Sequence, residues 1–114
     1  MLIPLKRDYI VNMVDVDHVV YAKADSKGVL IYVLKNDRLV EYRSWGKPLK
    51  QWANDLGLIQ ANKSAAIAKQ HIISYTRSNA ADNDNRILMT MRGNITIRAA
   101  RRQTADVRRQ LNNK

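Results

Sequence analysis

Apolar residues recur at every second position, or in short unbroken runs, through most of this chain, and that period predicts strands. Residues 18–24 (HVVYAKA) and 29–35 (VLIYVLK) read as two strands, joined by Asp25-Ser26-Lys27-Gly28, which is hairpin turn chemistry. The second run is apolar on both faces, as a strand buried between two layers would be. Asn36-Asp37 then turns the chain into a strand at 38–43 (RLVEYR). A short helix follows. Pro48 suits its first turn, Leu49, Trp52 and Leu56 lie at i, i+3 and i+7, and Gly57 stops it. Further strands read at 58–61 (LIQA), 65–68 (AAIA), 71–76 (HIISYT), 86–92 (RILMTMR) and 94–98 (NITIR). In the last, Ile95 and Ile97 take one face while Thr96 and Arg98 take the other, and Gly93-Asn94 is its hairpin turn. The polar stretch 78–85 (SNAADNDN) reads as a loop. The period turns helical at about 101–111, where Thr104, Val107 and Leu111 form a packing stripe. Neither a repeat nor a linker divides the chain, so residues 1–114 read as a single, mainly β domain.

Composition narrows the function classes. Hydrophobic residues make up 46% of the 114, with four Gly and two Pro, which is enough for a core and argues against wholesale disorder. No apolar run approaches the roughly 18 residues of a membrane span, and the opening MLIPLKRDY carries no secretory signal. Cysteine is absent, which removes disulfides, thiol catalysis and thiolate metal sites and suits a reducing cytoplasm.

Charge changes the picture most. Twenty Lys and Arg face ten Asp and Glu, for a net +10. Residues 1–42 hold six basic and six acidic groups, so the whole excess lies in residues 43–114, with 14 basic against 4 acidic. One-sided positive charge is the electrostatic footprint of a polyanion binder, because each neutralised phosphate releases a condensed counterion. In the last helix Arg101 and Arg108 are seven apart, as are Arg102 and Arg109, so these four share a sector beside the packing stripe. Their forked guanidinium groups suit phosphate oxygens and guanine edges, and Asp106 lies within reach of Arg102 and Arg109.

Other chemistry is thin. Asp82-Asn83-Asp84-Asn85 imitates the start of a calcium loop, but Arg86 holds the fifth position and no glycine follows. Asp15 and Asp17 read as solvated charges on a strand edge. His18 and His71 lack a partner ligand at i+2 or i+4 and read as strand residues. Ser64 and Ser74 lie in no nucleophile elbow, and no glycine-rich phosphate loop is present. An enzyme, a metal site or a bound cofactor is not expected.

From about residue 8 to 111 the order of elements and several local sequences resemble the LytTR-type DNA-binding domain of bacterial transcription regulators. The family's opening "I-x-Y-I-E-A" strand is matched by Val19-Val20-Tyr21-Ala22-Lys23-Ala24. Its next strand and short helix are matched by Val40 through Trp45 and by Pro48-Leu49-Lys50-Gln51-Trp52. Its most recognisable stretch, "F-x-R-x-H-R-S-Y-I-V-N", falls on 58–68, where Ser64 is kept and Ile67 stands for the similar Val. Gln60, Asn62, Lys63, Ala65 and Ala68 stand where the family has Arg, His, Arg, Tyr and Asn. The closing "I-P-V-S-R-R-Y-A-K-E-V" falls on 97–107, with Arg101-Arg102 in place of its arginine pair.

The resemblance implies stacked antiparallel β-sheets with one short central helix and a C-terminal basic helix. It also implies sequence-specific binding of double-stranded DNA, with loops entering successive major grooves over direct repeats. Carried over, three places face DNA: Ser26-Lys27-Gly28, Asn62-Lys63-Ser64, and Arg101 with Arg102. In this reading Lys27, Lys63, Arg98 and Arg102 position phosphates, while Arg101 and Asn62 contact bases. A homodimer on DNA and an inhibitory membrane or protein partner are compatible with it, without membrane insertion. The family usually carries a receiver domain, for which this chain has no room, so it reads either as a stand-alone cytoplasmic regulator or as an excised fragment, and the initiating Met and compact length favour the first. Two other classes fit the charge. An RNA-binding β-barrel-type module, ribosome-associated or from a phage, would display aromatics on its sheet, and a basic protein-interaction module would bind no nucleic acid.

Overall fold

The computed structural model describes residues 1–77 and 87–112, apart from the side chains of Thr76, Arg77, Arg101, Arg102 and Asn112. The stretch 78–85, with its calcium-loop imitation, and Arg86 lie outside the described residues. Ten strands and two helices are described, in three antiparallel sheets. β1 (Leu2–Arg7) and β2 (Ile10–Asp15) form a hairpin. β3 (Val19–Asp25), β4 (Gly28–Lys35), β5 (Arg38–Ser44), β6 (Ile59–Asn62) and β7 (Ala65–Ile67) build a central sheet in the order β5-β4-β3-β7-β6. β8 (Ile72–Arg77), β9 (Ile87–Met91) and β10 (Ile95–Arg98) form the third sheet. α1 (Leu49–Leu56) and α2 (Arg101–Asn112) complete the chain. No described helix is long and apolar enough to cross a membrane.

The central sheet is packed on both faces. Val29, Ile31 and Val33 of β4 join Leu5, Val14, Leu49 and Leu56 in one core, under the β1–β2 hairpin and α1. Tyr32 and Leu34 of the same strand join Met89, Met91, Ile97 and Val107 in the other, under the third sheet and α2. That is why β4 is apolar from Val29 through Leu34: both of its faces are interior there. Each fully buried aliphatic side chain contributes about 1.5–3 kcal/mol to this three-layer stack. A bulge in β3 between Val19 and Tyr21 sends both Val20 and Tyr21 to the second core, where strict alternation would have split them.

The helices follow their stripes. Gly57 closes α1 in the left-handed conformation (φ 68°), while Pro48 sits one residue ahead of the first turn, at the N-cap. Thr104 and Val107 of α2 are buried, with Leu111 half-buried beside them. Asp106 pairs with Arg109 and accepts from Gln110 Nε2 at 2.9 Å.

Two local expectations change. Residues 2–15 form a hairpin that period alone did not reveal, since Pro4 weakens the strand signal and only Leu5 and Val14 are buried in it. Asp15 and His18 lie at a 3-10 turn (Val16–His18), where Asp15 Oδ1 accepts from Asp17 N at 3.0 Å. His71 ends a second such turn (Lys69–His71), is buried, and donates from Nε2 to the Asp17 carbonyl at 2.6 Å.

Candidate nucleic-acid interface

Strand pairing brings the predicted segments to one end of the central sheet. Lys23 at the end of β3 pairs with Ala65 at the start of β7, so the Ser26-Lys27 turn and the Lys63-Ser64 turn leave the sheet side by side. The Ala24 amide donates to the Ser64 carbonyl at 2.8 Å, which ties one turn to the other. On the far side of β6 the Ala100 amide donates to the Ala61 carbonyl at 2.8 Å, placing the start of α2, and with it the backbone of Arg101 and Arg102, next to the Lys63-Ser64 turn. The side chains of those two arginines lie outside the described residues.

Both turns are held by one device. Asp25 Oδ1 accepts from Lys27 N, and Asn62 Oδ1 accepts from Ser64 N, each at 2.8 Å. Such a contact from a residue to the amide two positions on closes a turn without help from the ladder. Each of these side chains also reaches a further element. Asn62 Nδ2 donates to the Arg98 carbonyl at 2.8 Å. Asp25 accepts both guanidinium arms of Arg43 at 2.9 Å. The Arg43 pairing, helped by the Lys27 amide, lowers the Asp25 carboxyl to about 2.

Ser26, Lys27, Lys63, Ser64 and Arg98 are exposed. Gly28 serves the fold instead: its φ is 138°, and a Cβ there would lie 2.3 Å from the Ser44 carbonyl oxygen. The Asn62 amide is engaged at both ends within the chain, which makes it a brace between β6 and β10. Sequence reasoning passed over Lys23 and Thr96. Both are exposed and line, with Asn62, Ser64 and Arg98, a cleft of about 260 Å³ floored by Tyr21. Alternation along β3 does put Lys23 on the same side as Tyr21, but only the packing of β10 against β6 brings it into one cleft with Arg98. Tyr21 stacks on Tyr32 at 4.3 Å, and Tyr32 donates to Glu41 Oε2 at 3.2 Å. Burial pushes the Tyr21 hydroxyl well above the usual tyrosine range.

The chain is thus a small three-layer β module with lysines on braced turns at one end of its middle sheet. The LytTr DNA-binding domain family matches residues 9–112, and the chain belongs to that family. Among solved structures it is similar to one described as the LytTr DNA-binding domain of a methyl-accepting/DNA response regulator from Bacillus cereus. That likeness has a TM-score of 0.75 at 15% identity, over 99% of this chain and 97% of the other. At this identity it establishes the fold. The resemblance and the mainly β, stacked architecture read from the sequence are thereby borne out. No curated protein matches the chain.

Proposed function

We propose that this chain binds double-stranded DNA with sequence preference and regulates transcription in the bacterial cytoplasm. The observation that carries the reading is the hydrogen-bonded chain linking Ala24 to Ser64, Asn62 to Arg98 and Ala61 to Ala100, which gathers three separate segments of sequence on one end of the sheet. Lys27, Lys63, Arg98 and Arg102 neutralise phosphates, with Lys23 as a further cation beside Arg98. The Ser26 and Ser64 hydroxyls add donors to phosphate oxygens. Base reading falls to Arg101, because Asn62 is occupied in bracing the turn. Each copy covers one unit of a direct repeat, two copies share an operator, and an inhibitory partner would act by covering this end of the sheet.

Selection from a random duplex pool tests the reading. Enrichment of a spaced direct repeat supports it. An unenriched pool, or stronger competition by single-stranded RNA than by duplex DNA, refutes it. Arg101→Ala is expected to cost roughly 1–3 kcal/mol of binding and to relax preference at one base pair. A uniform loss over all sequences would reassign Arg101 to phosphate.

A further inference from the structure

The row of strand ends continues past Gly28. Val29 pairs with Ser44, so β5 leaves the sheet at the same end as the Ser26-Lys27 turn. The approach is close, since a Cβ on Gly28 would also lie 3.7 Å from the Trp45 Cα. The Trp45-Gly46-Lys47 loop therefore extends this row.

Trp45 is 65% exposed, and tryptophan is among the residue types most enriched where protein surfaces carry binding energy. Its surroundings are braced. Trp52 Nε1 donates to Ser44 Oγ at 3.0 Å, and the Lys47 ammonium sits 4.1 Å over the Trp52 ring while pairing with Asp55. Trp45, Trp52, Pro4, Lys6 and Arg43 wall a cleft of about 310 Å³. Arg43 is committed to Asp25, whereas Lys6 is exposed and has no anionic partner among the described residues. An indole wall beside one uncommitted ammonium suits a flat, weakly polar surface next to a single negative charge. The deoxyribose and phosphate of a DNA strand have that character.

We propose that Trp45 and Lys6 form an additional DNA contact, gripping the sugar–phosphate backbone that flanks the bases read by the turns. The proposal rests on the DNA-binding reading and deepens it. Four strand spacings separate β6 from β5, about 19 Å, or roughly half of a 34 Å helical turn. A contact displaced that far from the Lys63-Ser64 turn falls outside the sequence being read. It adds affinity without adding base preference.

The test titrates the full chain with a selected duplex and follows tryptophan emission. Wild-type emission changes on binding, and Trp45→Phe, which leaves Trp52 in place, binds with most of that change lost. Trp45→Ala weakens every duplex by about tenfold with the ranking of sequences intact, the size expected for one aromatic anchor. Lys6→Gln lowers the salt slope by about one. Trimming the flanks from the duplex erases the difference between wild type and Trp45→Ala. If wild type binds duplex but Trp45→Ala binds equally well, the contact is refuted and the main reading stands. A cleft that answers to a small aromatic carboxylate such as salicylate, and not to duplex, also overturns it. Absence of duplex binding by wild type removes both.

Discussion

The two ends of the central sheet are built differently. At the far end, β4 and β5 are joined by Asn36-Asp37, both left-handed (φ 50° and 64°), the backbone pair that closes a tight two-residue hairpin unaided. Both signs of charge occur at this end, in Asp15, Asp17 and Asp37 and in Lys35, Arg38 and Lys69. At the near end the turns are closed by side chains, Asp25 and Asn62, and each is anchored to a second element, β5 or β10. A turn closed by its own backbone needs no fixed relation to its neighbours. Turns pinned to one another hold their lysines at set spacings before any ligand arrives, which lowers the ordering cost of binding an extended surface.

The largest contrast is expected at glycines. Gly28→Ala forces a side chain into the Ser44 carbonyl at positive φ and is expected to cost about 3 kcal/mol in urea unfolding. Gly57→Ala at the far end also has positive φ but meets nothing within 4 Å, and about 1 kcal/mol is expected. Equal costs would mean that the tight approach of β4 to β5 is not what shapes the near end.

Asn62→Ala comes next. It removes two hydrogen bonds and is expected to lose about 1–2 kcal/mol of stability. It should also weaken duplex binding, through a misplaced β6–β7 turn. Asn36→Ala strains the far turn by about 1–2 kcal/mol through its left-handed backbone and should leave binding by the folded protein unchanged. Matching binding losses in the two variants would erase the functional distinction between the ends.

Single lysines give a smaller effect. Lys63→Ala should weaken binding to every duplex and flatten the slope of log affinity against log salt by about one, while Lys35→Ala at the far end leaves the slope alone. Equal slopes in the two variants would place the duplex elsewhere on the surface.

Much of this was legible because it is local. Period located β3 to β10 and both helices to within a residue or two, since half-buried strands and amphipathic stripes are written directly into side-chain order. The doubly apolar β4 even announced its two cores. The β1–β2 hairpin escaped because a two-strand lid buries few residues and Pro4 interrupts its run, although Asp8-Tyr9 between two apolar stretches was a usable turn signal. The candidate site was legible as a set of cations and turns. Its bracing was not. Nothing near Asn62 in sequence says that its amide meets the Arg98 carbonyl 36 residues on, and Lys23 shares a cleft with Arg98 only because β10 packs against β6. Long-range pairings of that kind come from topology.

The smallest expected effect probes the brace on the β3–β4 turn. Arg43 holds the Asp25 carboxyl at about 2, below the ordinary 3.8, so the folded state binds this proton less readily than the unfolded chain. The stabilisation is therefore complete above about pH 4 and is lost as pH falls through about 2. The pair is open to solvent, so its contribution is small. The gap in thermal midpoint between wild type and Asp25→Asn should be constant between about pH 5 and 7 and close toward about pH 2. The absence of a gap at every pH would mean that the turn is held by the Asp25–Lys27 amide contact, which an asparagine keeps, or by Gly28 alone. Arg43→Gln separates these cases, because it leaves Asp25 ionised with no cation beside it. At neutral pH that uncancelled charge faces the phosphates that Lys27 is proposed to meet, so the variant should bind duplex more weakly than Asp25→Asn. No such difference is expected if the Ser26-Lys27 turn lies away from the DNA.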